Sequence, residues 1–285
     1  MSSAFRARLL RAWGSLHIGE VIRRRALRRV VLRFASTGVH VLDAGCGRGD
    51  NALWFAQRYP DAAVSAVDID PVLVEAVRKR AADSELSNVS VQQADIENSS
   101  LVTSSFAPPP HRATEGHGKA TEDKHPSALP YGIVWSVDVL EHVHDPARAI
   151  RQLAAALAND GRLIVHVPRA VQRRWFRRFE HYEQHDHERD GFEPEDLTTL
   201  MDAAGLAVET IQHTFGPPGA LAWELFHLAQ GVGKWLAFLT YPIPWTLAWI
   251  DGWFRWKRGN GVLVVARKSG RMTESPRTKF QIPRK

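Results

Sequence analysis

The residues best suited to chemistry form a glycine-rich turn, Asp43-Ala44-Gly45-Cys46-Gly47-Arg48-Gly49-Asp50. Glycines at alternate positions let the backbone turn tightly and come close to a ligand. A dinucleotide-binding turn needs its third small residue at position 50, where this chain has an acid. That carboxylate would repel a pyrophosphate from the positive N-terminus of the helix predicted to follow. No Gly-Lys-Ser or Gly-Lys-Thr follows the turn, so a P-loop is absent and a nucleotide diphosphate is disfavoured.

Strand and helix patterns alternate along the chain around this turn. Short apolar runs predict strands at 39–44, 63–67, 89–93, 133–137, 163–167, 206–212 and 261–266. Helical periodicity and early prolines predict helices at 50–59, 71–82, 146–158 and 194–204, with a turn at 159–161. Strands that alternate with helices predict a parallel sheet covered on both faces. The ligand of such a sheet lies at the carboxyl ends of the strands.

Several segments together resemble the motifs of class I S-adenosylmethionine (SAM)-dependent methyltransferases. The glycine turn with its strand, 41–49, resembles motif I, and the other matching segments follow in order: 66–71, 93–96, 138–146 (DVLEHVHDP), 159–168 and 187–192. The last three resemble the ubiquinone/menaquinone-type (type 11) small-molecule branch. The resemblance covers residues 39–268 apart from two insertions. It implies a Rossmann-like α/β fold, with a seven-stranded, mostly parallel sheet, helices on both faces and an antiparallel last strand.

The resemblance implies SAM as cofactor and nine residues that bind it: Asp43, Gly45, Cys46, Gly47, Asp68, Ile69, Asp95, Ile96 and Val137. Asp68 would accept both ribose hydroxyls, with Ile69 on the adenine face. The alternative for Asp68 is a helix N-cap, a role that Asp70 suits better because it directly precedes Pro71. Asp95 would accept from the adenine amino group, unless it is a surface-turn aspartate.

Asp43 would either hold the glycine loop or receive the amino group of SAM. Cys46 is expected to be a small buried side chain and not a nucleophile, because nothing nearby would form its thiolate. The chain departs from the family at Tyr131-Gly132, where Phe-Asp is usual. We expect this departure to alter the edge of the fourth strand without loss of SAM binding.

Acceptor chemistry points to histidines beyond the fourth strand. Methyl transfer to an oxygen needs a general base or an acidic hydroxyl, and transfer to carbon needs a stabilised enolate or phenolate. His187 and His142 are the predicted catalytic residues, although a structural hydrogen bond is the alternative for His142. His181, His185 and His187 lie close together with two acids, but such polar loops are usually solvated, and we predict no metal site.

Composition excludes several classes of protein. The 285 residues are 44% hydrophobic with a net charge of +6, which is unlike a disordered or coiled-coil chain. No apolar run is long enough for a polytopic membrane protein. One cysteine excludes a disulfide framework.

Four segments lie outside the expected methyltransferase core. Residues 1–38 carry nine arginines and one acid and predict a basic helical segment that touches anionic lipid, with an organelle transit peptide or a solvated helix as alternatives. Residues 99–130 predict a flexible insertion, and 269–285 a basic tail. Residues 215–256 hold six of the ten tryptophans and predict two amphipathic helices with a bend at 241–244, serving as a lid, a dimer interface or a membrane contact.

These patterns predict a cytoplasmic, peripherally membrane-associated enzyme that transfers methyl from SAM to the oxygen or carbon of a hydrophobic small-molecule or lipid-linked acceptor. The predicted contact with anionic membrane involves 1–38 and 217–256. A non-catalytic SAM-binding or membrane scaffold is the alternative. An RNA methyltransferase is less favoured, because no nucleic-acid module is visible.

Overall fold

Buried aliphatic runs form the centre of a seven-stranded sheet in the computed structural model, which describes residues 17–98, 130–179 and 188–268. The strands are β1 (His40–Ala44), β2 (Ala63–Asp68), β3 (Val89–Gln93), β4 (Tyr131–Val137), β5 (Leu157–Pro168), β6 (Leu206–Thr214) and β7 (Gly261–Lys268). β2 is buried along its whole length, as expected for a strand covered on both faces.

The strand order is β3-β2-β1-β4-β5-β7-β6. The first five strands pair in parallel, whereas β7 runs antiparallel to both β5 and β6. This confirms the predicted Rossmann-like sheet with an antiparallel last strand. The carboxyl ends of β1, β2 and β4 consequently meet at one edge, on either side of the switch in strand order.

Eight α-helices surround the sheet within the described residues. They are α1 (Ile18–Val31), α2 (Asp50–Arg58), α3 (Pro71–Asp83), α4 (Pro146–Ala156), α5 (Pro194–Ala203), α6 (Pro217–Val232), α7 (Lys234–Thr240) and α8 (Pro242–Asp251). One core joins α1, α2 and α3 to the sheet through side chains such as Leu27, Phe55 and Val77. A second core on the other face contains Leu153 of α4 and Leu197 of α5.

The structure differs from the sequence prediction where β5 begins. The predicted helix 146–158 ends at Ala156, and β5 continues through the predicted turn at 159–161. The turn residues are a bulge in the strand, with Asp160 at φ 63°, because Tyr131 pairs with Leu157 while Ile133 pairs with Arg162. The altered edge expected near Tyr131 is thus an irregularity of the β4–β5 pairing.

The Trp-rich segment forms three helices, α6, α7 and α8, instead of the two predicted. The predicted bend at 241–244 separates α7 from α8, and a second break falls at Gly233, between α6 and α7. These helices pack on α1 in a third core that includes Ile22, Trp223 and Ala248. The described part of the basic segment is therefore a helix that joins the Trp-rich helices to the domain.

No helix among the described residues is long and apolar enough to cross a membrane. Residues 1–16, most of the predicted insertion at 99–130, and the tail at 269–285 lie outside the described residues. His187, with the rest of 180–187, lies outside them as well.

Candidate active site

A cleft of about 520 Å³ opens at the carboxyl ends of the central strands. All nine residues predicted to bind the cofactor line it, and so does His142. The sequence therefore selected residues from four separate loops that the fold brings to one place.

The glycine turn shapes one wall of this cleft. Gly45 has φ 78° and a side chain there would overlap Val139, with its Cβ 2.9 Å from Cγ1 of that residue. Gly47 has φ 53°, but a Cβ there would meet nothing within 4 Å. Gly45 is thus required by the packing of the protein itself, whereas the bare backbone at Gly47 leaves space on the side of the cleft.

Asp68 connects the glycine turn to the loop after β2. Its Oδ2 accepts from the amide of Gly47 at 2.7 Å and its Oδ1 accepts from the amide of Asp70 at 3.0 Å. Each carboxylate oxygen can accept two hydrogen bonds, so one acceptor position per oxygen remains for a diol. Asp70 caps α3 by accepting from the amide of Val72 at 2.8 Å, which confirms its predicted role as the N-cap. The ribose contact of Asp68 stays a prediction.

Asp43 is buried beside the cleft. Burial raises the pKa of its carboxyl from 3.8 to about 7, although the neighbouring N–H groups of Trp135 and Ala52 oppose the rise. The amides of Gly45 and Cys46 donate to the carbonyl of Val67, and the amide of Ala52, at the other end of the glycine turn, lies against the Asp43 carboxylate. Both contacts anchor the turn, and the two roles predicted for Asp43 stay predictions. Its Oδ2 has no hydrogen-bond partner of ordinary geometry within the described residues.

Asp95 and its neighbours line the cleft after β3. The Asp95 carboxylate accepts from the amide of Glu97 at 2.9 Å and from Nδ2 of Asn98 at 2.8 Å. These contacts are those of the turn aspartate that was the alternative, and a contact with an adenine amino group stays a prediction. Ile96 is buried, while Ile69 is 65% exposed at the cleft.

Cys46 is nearly covered, and burial raises the pKa of its thiol well above the ordinary range. This agrees with its prediction as a small buried side chain. Val137 ends β4 and lines the cleft. His142 follows in the next loop, with its side chain exposed.

A polar network that the sequence analysis missed begins at Asp138. This residue has φ 52°, forms an ion pair with Arg23 of α1, and lies 2.6 Å from Nδ1 of His166. Nε2 of His166 is 2.8 Å from Oγ1 of Thr214, and the ring is 1% exposed. A side chain at Gly261 would overlap Thr214. The network thus fixes the loop after β4 to β5, β6 and α1.

The motif 187–192 has a structural role in its described part. The amide of Glu188 donates to the carbonyl of Glu141 at 3.0 Å, and Arg189 donates to the carbonyl of Val143 at 2.9 Å. Burial raises the pKa of Glu141 well above its ordinary range, with the charge of Asp138 adding to the effect. The hydrogen bonds of Glu188 and Arg189 hold the loop that carries His142.

Helix α1 contributes a rim to the cleft through Glu20, Arg23 and Arg24. Arg24 faces Asp50 at 3.8 Å, and Arg80 of α3 pairs with the same carboxylate at 2.8 Å. Asp50, the acid whose position argued against a pyrophosphate ligand, is therefore held by Arg24 and Arg80. A run of arginines predicts a basic helix, but it does not show which of them face a cleft.

Comparison with known proteins agrees with this geometry. Residues 20–211 match the family described as a methyltransferase domain. Over 63 residues the chain is 44% identical to the tRNA1(Val) (adenine(37)-N6)-methyltransferase of Porphyromonas gingivalis, a match to 22% of this chain and 25% of that protein. The chain thus spans about a quarter of the length of the curated relatives it matches.

Solved structures share the fold at low sequence identity. Phosphoethanolamine N-methyltransferase 2 of Haemonchus contortus superposes with a TM-score of 0.56 at 17% identity, over 85% of this chain and 52% of that one. The [4+2]-cyclase SpnF superposes with a TM-score of 0.53 at 19% identity, over 86% of this chain and 80% of that one. At these identities the likeness shows the fold alone.

The sheet order and the position of the cleft define a Rossmann-like methyltransferase fold. Because the family match covers about two thirds of the chain, the protein belongs to the class I SAM-dependent methyltransferases, whose cofactor is SAM.

The cleft residues fit this cofactor. The carboxylate of Asp43, beside the cleft, has the charge that suits an ammonium group, and the space beside Gly47 admits a ligand against the backbone. The two remaining acceptor positions of Asp68 suit a ribose diol. We would therefore assign the amino acid end of SAM to the Asp43 side and its ribose to Asp68.

Proposed function

We propose that this protein transfers the methyl group of SAM to an oxygen or carbon atom of a hydrophobic small-molecule or lipid-linked acceptor. The observation that carries the proposal is the convergence of all nine predicted cofactor residues on one cleft, next to His142. Apolar side chains beyond the cofactor residues, Leu73, Val139 and Val143, also line it, which favours an acceptor with apolar surface.

When bound, SAM supplies a methyl group on a sulfonium, so the leaving group is already activated. The protein must then hold the two reactants in line. Asp138 is well placed for this positioning, because Arg23 and His166 together fix its carboxylate at the edge of the cleft.

A hydroxyl acceptor also has to lose a proton as its oxygen bonds to the methyl carbon and the sulfur–carbon bond breaks. His142 is the described imidazole that lines the cleft, and we propose that it accepts this proton. His166 is less suited, since both its ring nitrogens have close partners in Asp138 and Thr214. A role for His187 remains part of the proposal.

Calorimetric titration of SAM into wild type and Asp68→Asn tests the cofactor site. The variant keeps the size of the side chain but replaces one of the two oxygens that accept backbone hydrogen bonds, and we expect at least tenfold weaker binding. Asp61→Asn is the matched control, because it makes the same change at an exposed turn. Equal affinity of the three proteins would contradict the assignment of Asp68.

Turnover is then measured with a set of apolar phenols and quinols, for wild type and His142→Gln. Methylation that slows in the variant, with unchanged SAM affinity, supports a proton acceptor at this position. A folded wild type that binds SAM without methylating any acceptor would favour the non-catalytic scaffold.

An RNA acceptor is the second candidate, and the partial match to tRNA methyltransferases favours it. It predicts RNA binding that weakens steeply with salt, because phosphate contacts release counterions. Absence of RNA binding at low salt would remove this candidate.

A further inference from the structure

We propose that helices α6 to α8 carry a docking surface for an anionic lipid membrane. We call this surface the aromatic face and define it by the exposed apolar side chains of Val232, Trp235, Leu236, Phe238, Leu239, Ile243, Trp249, Trp253 and Phe254. The proposal rests on exposure and charge, and it holds whether or not the cleft transfers a methyl group.

Exposed apolar side chains are concentrated on this surface. Sixteen large hydrophobic residues are exposed in the described part of the chain, and nine of them belong to the aromatic face. Trp235 and Leu239 are 76% and 77% exposed. Nine of these side chains thus fall within residues 232–254, and Trp249 and Trp253 lie against each other with ring centroids 4.2 Å apart. Such an accumulation marks an interaction site, since isolated exposed side chains are common but clusters are not.

The exposed charges within residues 217–260 have one sign. Between residues 217 and 260 the acids are Glu224 and Asp251, and both are buried. The charged side chains exposed in this range are all basic: Lys234, Arg255, Lys257 and Arg258. A segment whose exposed side chains are apolar or cationic complements anionic headgroups above a hydrocarbon layer.

The two buried acids have structural tasks, which leaves the surface cationic. Glu224 accepts from the backbone amides of Trp175 and Phe176 at 3.0 and 2.8 Å. Asp251 accepts from the amide of Gly219 at 3.2 Å, and burial raises the pKa of its carboxyl to about 6. Neither carboxylate is available to oppose an anionic partner.

The loop around Trp175 and Phe176, which Glu224 holds, also exposes aromatic and basic side chains. Trp175 and Phe176 are exposed, and the exposed arginines beside them are Arg173, Arg177 and Arg178. Arg178 also comes within 4 Å of the Cβ position of Gly231, next to Val232. This loop therefore adds two aromatic rings and three cations adjacent to the aromatic face.

Residue types and helix lengths favour binding in the membrane interface. Tryptophan prefers that zone because its ring is apolar while its N–H needs a polar partner. Helices α7 and α8 have 7 and 10 residues, too few to cross the hydrocarbon layer. The aromatic face would therefore lie along the surface of one leaflet.

Co-sedimentation of the full chain with vesicles tests the proposal. We expect the protein to pellet with vesicles that contain phosphatidylglycerol, more weakly with phosphatidylcholine alone, and less at high salt. A variant with Trp235→Ser and Leu239→Ser should lose at least tenfold in affinity. A second variant, with Arg255→Glu, Lys257→Glu and Arg258→Glu, should lose more than that on anionic vesicles.

Val72→Ser is the matched control, because this side chain is 73% exposed on α3, away from the aromatic face. It should pellet like wild type, and unfolding curves must coincide for all variants. The proposal is overturned if wild type does not pellet at low salt or if the aromatic variants pellet as well as wild type. It is also overturned if these variants turn a dimer into a monomer without vesicle binding, because the surface is then an interface between copies.

Discussion

Asp43→Asn should make the ligand-free protein more stable at alkaline pH while it weakens SAM binding. The buried carboxyl has a pKa raised from 3.8 to about 7. Between these values the folded state keeps a proton that the unfolded state has released, so stability is greatest at low pH and falls as pH rises towards 7. Asparagine cannot ionise and removes this loss.

The size of the effect follows from the width of that window. Each pH unit between the two pKa values corresponds to about 1.4 kcal/mol, and two such units lie between pH 5 and 7. The stability difference between Asp43→Asn and wild type should therefore grow by up to about 3 kcal/mol from pH 5 to pH 8. Solvent and structural relaxation weaken the effect of burial, so we expect the stability difference to grow by about 1–3 kcal/mol.

The measurement is urea unfolding of ligand-free protein at pH 5 and pH 8, with Asp61→Asn as the exposed control. Other ionisable groups, such as Asp251, contribute equally to both proteins and cancel in the difference. SAM titration at pH 8 should show about 10- to 100-fold weaker binding to the variant, because a charged carboxylate is lost from the ammonium site. A stability difference that does not change with pH would refute the buried, ionisable state assigned to Asp43.

Three further predictions follow from the glycine turn and from α1. Gly45→Ala should lower the free energy of unfolding by about 2–4 kcal/mol, since its Cβ would overlap Val139 at a positive φ. Gly47→Ala should cost only about 1 kcal/mol, because its Cβ meets nothing, yet weaken SAM binding at least tenfold by calorimetry. In a double-mutant cycle, Arg23→Met and Asp138→Asn should show coupling of about 1–2 kcal/mol in unfolding free energy, as expected for a partly buried ion pair. Additive effects of the two substitutions would contradict a direct pairing.

Local patterns predicted the strands and the residues that line the cleft, because each of these features depends on neighbours in sequence. The glycine turn, the acids after β2 and β3, and the cap of α3 at Asp70 all act within a few residues of their own position. Strand order follows from the family resemblance, and the carboxyl ends of parallel strands then bring these segments together. The nine residues that the family resemblance implies as cofactor-binding therefore line one cleft, and their contact with SAM stays a prediction.

The network around Asp138 could not be predicted in the same way. Its members lie on α1, in the loop after β4, and on β5 and β6, and no periodicity relates residues so distant in sequence. His166 appears in the sequence only as one imidazole in a buried strand. The break at Gly233 was missed although the sequence signals it, since Gly231, Gly233 and Lys234 interrupt the apolar pattern there.

Consecutive arginines on α1 connect the parts of the molecule that are proposed to bind ligands. Arg23 pairs with Asp138 at the cleft, Arg24 faces Asp50 beside the glycine turn, and Arg25 lies over the ring of Trp249, 5.2 Å from its centroid. A shift of α1 at the Trp-rich helices would therefore also move the arginines that contact the cleft. Thermodynamic reciprocity then requires that any factor by which vesicles change the affinity for SAM is also the factor by which SAM changes the affinity for vesicles.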